Sequence, residues 1–156
     1  MVFVIIGTQK QPFDRLIKML DESEELLNEE IIIQKGYTNI ENKRYITYDF
    51  LDEVKFEEYI KKADLIITHS GVGSIINSLK YDKKIIAIPR LSKYKEHMDD
   101  HQIEIANKFE NLGYIATLKE NESLDDCIKN IKNKEFEKYK EDTSYIDKLI
   151  NVIDNI

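Results

Sequence analysis

The chain has 156 residues, 42% of them hydrophobic and 34% charged, proportions that fit one globular domain with a continuous core rather than a disordered chain. A formal net charge of -7, with lysines interleaved among Glu and Asp and no basic stripe, argues against a nucleic-acid partner. The single cysteine, Cys127, excludes an intramolecular disulfide and a cysteine-rich metal site.

The opening run, residues 2–6, is apolar, has no basic flank and ends at Gly7. It is too short for a signal-peptide core or a membrane span and reads as a buried first strand, so attachment to a membrane is expected only through a partner or a surface patch. Runs 31–33, 65–67 and 85–88 share its Ile- and Val-rich, non-alternating character, which marks strands covered on both faces of a parallel sheet. Residues 45–48 and 114–118 are weaker strand candidates, the second following a turn signal at Gly113.

Helical spacing separates these runs. Phe13, Leu16, Ile17 and Leu20 repeat at three and four residues, with Pro12 placed in the first turn. Phe56, Tyr59 and Ile60 mark a second helix, and Ile75, Ile76 and Leu79 a third. Ile103, Ala106 and Phe109 form the face of a fourth, which stops at Gly113. The alternation to about residue 118 predicts a doubly wound α/β domain with a mostly parallel sheet. Residues 119–156 read as a C-terminal helical extension. Leu124, Ile128 and Ile131 form one apolar stripe there, and Ile146, Leu149, Ile150 and Ile153 another. Two readings stay open: both stripes pack on the sheet, or the last docks on a partner.

In such a sheet, ligands bind where the loops leave the carboxyl ends of the strands. Gly7-Thr8-Gln9 follows the first strand and offers a close-approach glycine, a hydroxyl and an amide; a polar tight turn explains it equally. Thr68-His69-Ser70-Gly71-Val72-Gly73-Ser74 lies between a strand and a helix. Its two glycines let a ligand meet the backbone, and the helix start supplies unpaired N–H groups and a positive dipole end, a seat for a diphosphate. It lacks the Gly-Lys-Ser/Thr of a P-loop and the third glycine of a dinucleotide fingerprint. A glycine-relaxed turn with a serine cap is the plain alternative. His97-Met98-Asp99-Asp100-His101-Gln102 holds two histidines and two acids, but consecutive side chains converge poorly on one ion, so no metal is expected. Asp99 or Asp100 capping the helix, or a polar cluster meeting sugar hydroxyls, accounts for the acids.

Together, Gly7-Thr8-Gln9, the segment from Ala63 to Ser74, Ile88-Pro89-Arg90 and Asp100-His101-Gln102 resemble, in order and spacing over residues 1–118, the C-terminal domain of family-28 glycosyltransferases. The chain resembles the stand-alone subunits of PssE type within that family, and the Alg13-type subunit is similar. This resemblance implies a Rossmann-like half of a GT-B fold, the whole chain being a single UDP-sugar-binding domain. By position, Val72, Gly73 and Ser74 would meet the diphosphate, and Gly7, His69, Ser70 and Gly71 are expected among the substrate-binding residues beside them. Thr8 and Gln9 would lie at the cleft floor after Gly7, and Asp100, His101 and Gln102 near the donor sugar. Asn77 stands where the family often has a Glu on the ribose hydroxyls; an amide lacks the charge-assisted strength of a carboxylate.

The resemblance also implies hexosyl transfer from a UDP-sugar to a lipid-linked acceptor in exopolysaccharide, capsule or glycolipid synthesis, without metal or cofactor. No residue of this chain is assigned as catalytic. A membrane-anchored subunit of PssD or Alg14 type would hold the acceptor and the general base, keeping this chain cytoplasmic and peripheral to the membrane. Alone, its partner-facing surface can favour a homodimer. A non-catalytic activator of a partner transferase is the second reading, distinguished by failure to bind UDP-sugar. A UDP-sugar epimerase would need both halves of the fold in one chain.

Overall fold

The apolar runs pair side by side in a computed structural model that describes residues 1–140 and Asn151. In chain order the elements are β1 (Val2–Ile5), α1 (Asp14–Glu22), β2 (Ile31–Gln34), β3 (Ile46–Tyr48), α2 (Glu53–Lys62), β4 (Leu65–Thr68), α3 (Val72–Leu79), β5 (Lys84–Ala87), α4 (His101–Asn111), β6 (Ala116–Thr117) and α5 (Leu124–Ile131). The six strands form one sheet in the order β3-β2-β1-β4-β5-β6, and every pairing is parallel. Strand order reverses at β1, which pairs with β2 on one side and β4 on the other. That reversal opens the crevice where such sheets take ligands.

Successive side chains of a strand face opposite sides, so β1 feeds two cores. Val2 and Val4 pack with Leu16, Leu20, Ile33 and Ile128 on the side of α1 and α5. Phe3 and Ile5 pack with Ile66, Ile75, Ala87 and Phe109 on the side of α2, α3 and α4. The stripe of Leu124, Ile128 and Ile131 is buried with Cys127 in the first core, so α5 is part of the domain's packing. The stripe expected at 146, 149, 150 and 153 lies outside the described residues.

Two sequence readings need correction. Pro12 falls outside α1, because Phe13 is the cap residue, with non-helical φ −117° and ψ 56°, and its N–H is held by Thr38 Oγ1 at 3.0 Å. On α4 the buried positions are Gln102, Ala106 and Phe109, while Ile103 is 37% exposed. The helix is therefore rotated by about one residue from the expected face, and a glutamine lies in the core where an isoleucine was expected.

Candidate functional site

Three loops meet above the crevice, and glycines set their spacing. Gly7, directly after β1, has φ +91°, a conformation open to glycine at little cost. A β-carbon there would lie 2.7 Å from Nε2 of His69, and one on Gly71 would meet the same atom at 2.7 Å. The imidazole thus occupies the space that both glycines leave. Gly36, after β2, approaches from the other side: its β-carbon would stand 2.5 Å from the Gly7 carbonyl oxygen. Gly73 differs from all of these. A β-carbon there meets nothing within 4 Å among the described residues, so their packing does not require a glycine in the first turn of α3.

That turn is open. Gly71 caps α3 without a side-chain hydrogen bond, and the helical ladder begins with Ile75 N–H donating to the Gly71 carbonyl at 3.1 Å. The N–H groups of Val72, Gly73 and Ser74 find no acceptor among the described residues. Three donors and the positive end of the helix face one exposed position, the arrangement that attracts phosphate. Asn77 is exposed one turn further on, in line with Gly73.

Beneath the loops lies a buried polar floor that the motifs did not reveal. Arg90, after β5, is fully buried. Its Nη1 donates to the carbonyls of Gln11 at 2.7 Å and Glu96 at 2.9 Å, and its Nη2 to that of Ile6 at 2.8 Å. The guanidinium also stands 4.9 Å from the Phe13 ring centroid. Burial pushes its pKa down to about 10, so it remains charged at neutral pH. Arg15 of α1 grips the buried Glu96 carboxylate at 2.9 Å and donates to the Pro89 carbonyl at 2.7 Å. These two arginines fasten the loops after β1 and β5 to each other. Arg90 stood within a noted motif, but spacing gave no sign that its fork would be spent on carbonyls.

The expected site residues divide between surface and floor. Thr8 and Gln9 are exposed on the loop after Gly7, and His101 is exposed at the start of α4. Ser70 is fully buried, and its hydroxyl finds no partner among the described residues. Gln102 was placed beside the donor sugar by position; it is instead 4% exposed. Its Oε1 accepts from the backbone N–H of Ser70 at 3.2 Å and of Arg90 at 2.9 Å, and its Nε2 lies 3.1 Å from Nδ1 of His69. His69 is itself buried, and that burial, with the Arg90 charge nearby, pushes its pKa down to about 4.

Asp100 occupies the cap position of α4, but its carboxylate turns back to accept the N–H and hydroxyl of Ser92, both at 2.9 Å. Those hydrogen bonds hold its pKa down. Asp99 takes the exposed N–H of His101 at 3.0 Å instead and stands 3.1 Å from Nδ1 of His97. Among the described residues no His, Cys, Asp and Glu group is arranged to hold a metal ion. Beside Asp100 a groove of about 530 Å³ runs between α1, the loop after β5, α4 and the end of β6, with Met19, Leu91, Tyr94 and Ile103 in its lining.

The chain is 41% identical over 73 residues to the "UDP-N-acetylglucosamine transferase subunit ALG13" of Candida glabrata, a stretch covering 46% of this chain and 35% of that one. It is 35% identical over 124 residues to the protein of the same description from Kluyveromyces lactis, covering 67% of this chain and 60% of the relative. The chain thus spans about a third of the first relative and under two thirds of the second. The NMR solution structure of ALG13 superposes with a TM-score of 0.67 at 23% identity, covering 97% of this chain and 96% of that one; this likeness concerns the fold. The family model of the glycosyltransferase family 28 C-terminal domain matches residues 1–155, and the chain belongs to that family.

Proposed function

We propose that this chain is the donor-binding subunit of a glycosyltransferase and that it holds a UDP-sugar across the α3 N-terminus. The observation that carries the reading is the open first turn of α3. Among the described residues, the N–H groups of Val72, Gly73 and Ser74 find no acceptor and nothing fills the space beside Gly73. A diphosphate fits such a seat because its oxygens accept several backbone donors while the helix end opposes their charge. As the bond between sugar and diphosphate breaks, negative charge builds on the departing UDP. Fixed N–H dipoles stabilise that charge without reorganising, so the transfer runs without a metal or other cofactor.

The relatives described as N-acetylglucosamine transferase subunits support N-acetylglucosamine as the sugar. Their description as subunits supports a second polypeptide that completes the enzyme. On this reading the partner is a membrane-anchored chain of PssD or Alg14 type that carries the lipid-linked acceptor and the general base. This subunit then works from the cytoplasmic side, held at the membrane by its partner, in glycolipid or polysaccharide synthesis. Asp99 and Asp100 being spent on local hydrogen bonds is consistent with a base supplied from elsewhere.

Calorimetry of the purified chain with UDP and UDP-N-acetylglucosamine tests the donor site. Binding is expected, with loss of at least tenfold in affinity for Gly73→Asp, which brings a carboxylate to the phosphate seat. A chain that folds normally but binds neither ligand, alone or with its partner, is an activator and not the donor subunit.

A further inference from the structure

The amide of Gln102 permits a deduction about hydrogen positions that the heavy atoms alone rarely allow. Two backbone N–H groups, from Ser70 and Arg90, converge on one end of this side chain at 3.2 and 2.9 Å. Both are obligate donors, so that end must be the carbonyl oxygen. The other end is then the NH₂ group, and it lies 3.1 Å from Nδ1 of His69. Nδ1 must accept. In a neutral imidazole one nitrogen accepts and the other carries hydrogen, so the proton sits on Nε2. That nitrogen lies in the gap between Gly7 and Gly71 and has no partner among the described residues.

We propose that Gln102 is a positioning residue that locks His69 in its Nε2–H tautomer, so that the glycine bend offers the diphosphate a permanently neutral donor beside the N–H groups of α3. The inference rests on the donor-site reading above. It explains why a glutamine occupies a core position of α4: a single planar group fastens the backbone after β4 to the backbone after β5 and orients the ring between the glycines. Protonating Nδ1 would set two donors against each other across 3.1 Å. The other charged or titratable groups facing the ring act in the same direction, Arg90 from the loop after β5 and His97 from the segment before α4. The donor therefore persists across the physiological range without titrating.

Nitrogen-15 NMR of the intact chain, without ligand, reads the tautomer directly. The expected spectrum shows His69 with Nε2 protonated and Nδ1 bare from pH 5.5 to 8. A ring protonated on Nδ1, or one titrating within that range, overturns the proposal. Gln102→Glu supplies the functional arm. Its carboxylate can still accept from both backbone N–H groups, but it draws a proton to Nδ1 and leaves Nε2 bare at high pH. UDP affinity relative to the natural chain, measured at each pH so that the ionisation of UDP cancels, should fall about tenfold to a hundredfold at pH 8. It should recover as His69 protonates towards pH 6. A ratio flat with pH means that Gln102 only holds the backbone, and the proposal is then wrong. Should that variant not fold, the spectrum of the natural chain still decides the tautomer. Should the natural chain show the expected tautomer yet not bind UDP, the donor-site reading fails, and with it the role given to Nε2.

Discussion

Gly7 and Gly71 lack side chains because the His69 ring stands where those side chains would begin, whereas no described residue fills the space beside Gly73. The three glycines should therefore respond differently to alanine. Gly7→Ala and Gly71→Ala force the ring from its slot, and Gly7→Ala adds a strained φ, so each should lose about 2–4 kcal/mol of stability. Gly73→Ala replaces a helical glycine without a clash and should gain up to about 1 kcal/mol while weakening UDP binding. Chemical denaturation and calorimetry on the same preparations check both signs; a Gly73→Ala chain with unchanged UDP affinity would detach that glycine from the ligand.

His69 makes a second residue-scale prediction. Its folded pKa, about 4, lies below the unfolded value of about 6.5, because burial opposes its charged form. Between those values the unfolded chain binds the extra proton, so this residue's contribution to stability is complete above about pH 6.5 and declines as pH falls towards 4. The slope approaches 1.4 kcal/mol per pH unit in that window. Denaturation of the natural chain and of His69→Gln from pH 7 to 4 should give curves that diverge with acidity. Parallel curves would contradict the buried neutral ring.

At the scale of elements, the cleft is held by ties between loops that are far apart in sequence. Arg90 binds three carbonyls from the loops after β1 and β5. Arg90→Met leaves those acceptors unpaired and should cost at least about 3 kcal/mol, readable as a lowered urea midpoint. An exposed change such as Lys18→Met should shift it by less than about 0.5 kcal/mol. Strands were legible in the sequence because their Ile and Val runs are short and continuous, and helices because apolar residues recur at three and four positions between those runs. The face of α4 was read one residue off, since Ile103 looks more like a core residue than Gln102 does. Yet Gln102, Ala106 and Phe109 fall at i, i+4 and i+7, and that spacing was a usable signal for a buried glutamine. The glycine bend was legible as chemistry, but the direction of an amide or guanidinium was not, because either group can face water or the floor.

For the whole molecule, the sheet is closed on both faces by its own helices, with α1 and α5 on one side and α2, α3 and α4 on the other. The carboxyl edge above the crevice carries the open first turn of α3, where the proposed UDP-sugar would bind. Co-expression with a membrane-anchored acceptor subunit should yield a complex that transfers N-acetylglucosamine to a lipid-linked acceptor, while this subunit alone shows binding without transfer. Full transfer by the purified single chain would remove the need for a partner. From sequence alone came the alternation of buried strands with amphipathic helices and the placing of a glycine-rich bend before a helix, because local periodicity and backbone freedom are properties of neighbouring residues. Which polar side chains reach the cleft and which brace it from below was decided only by the tertiary structure. Those roles depend on the meeting of loops after β1, β4 and β5, whose distance along the chain hides their contact until the sheet assembles.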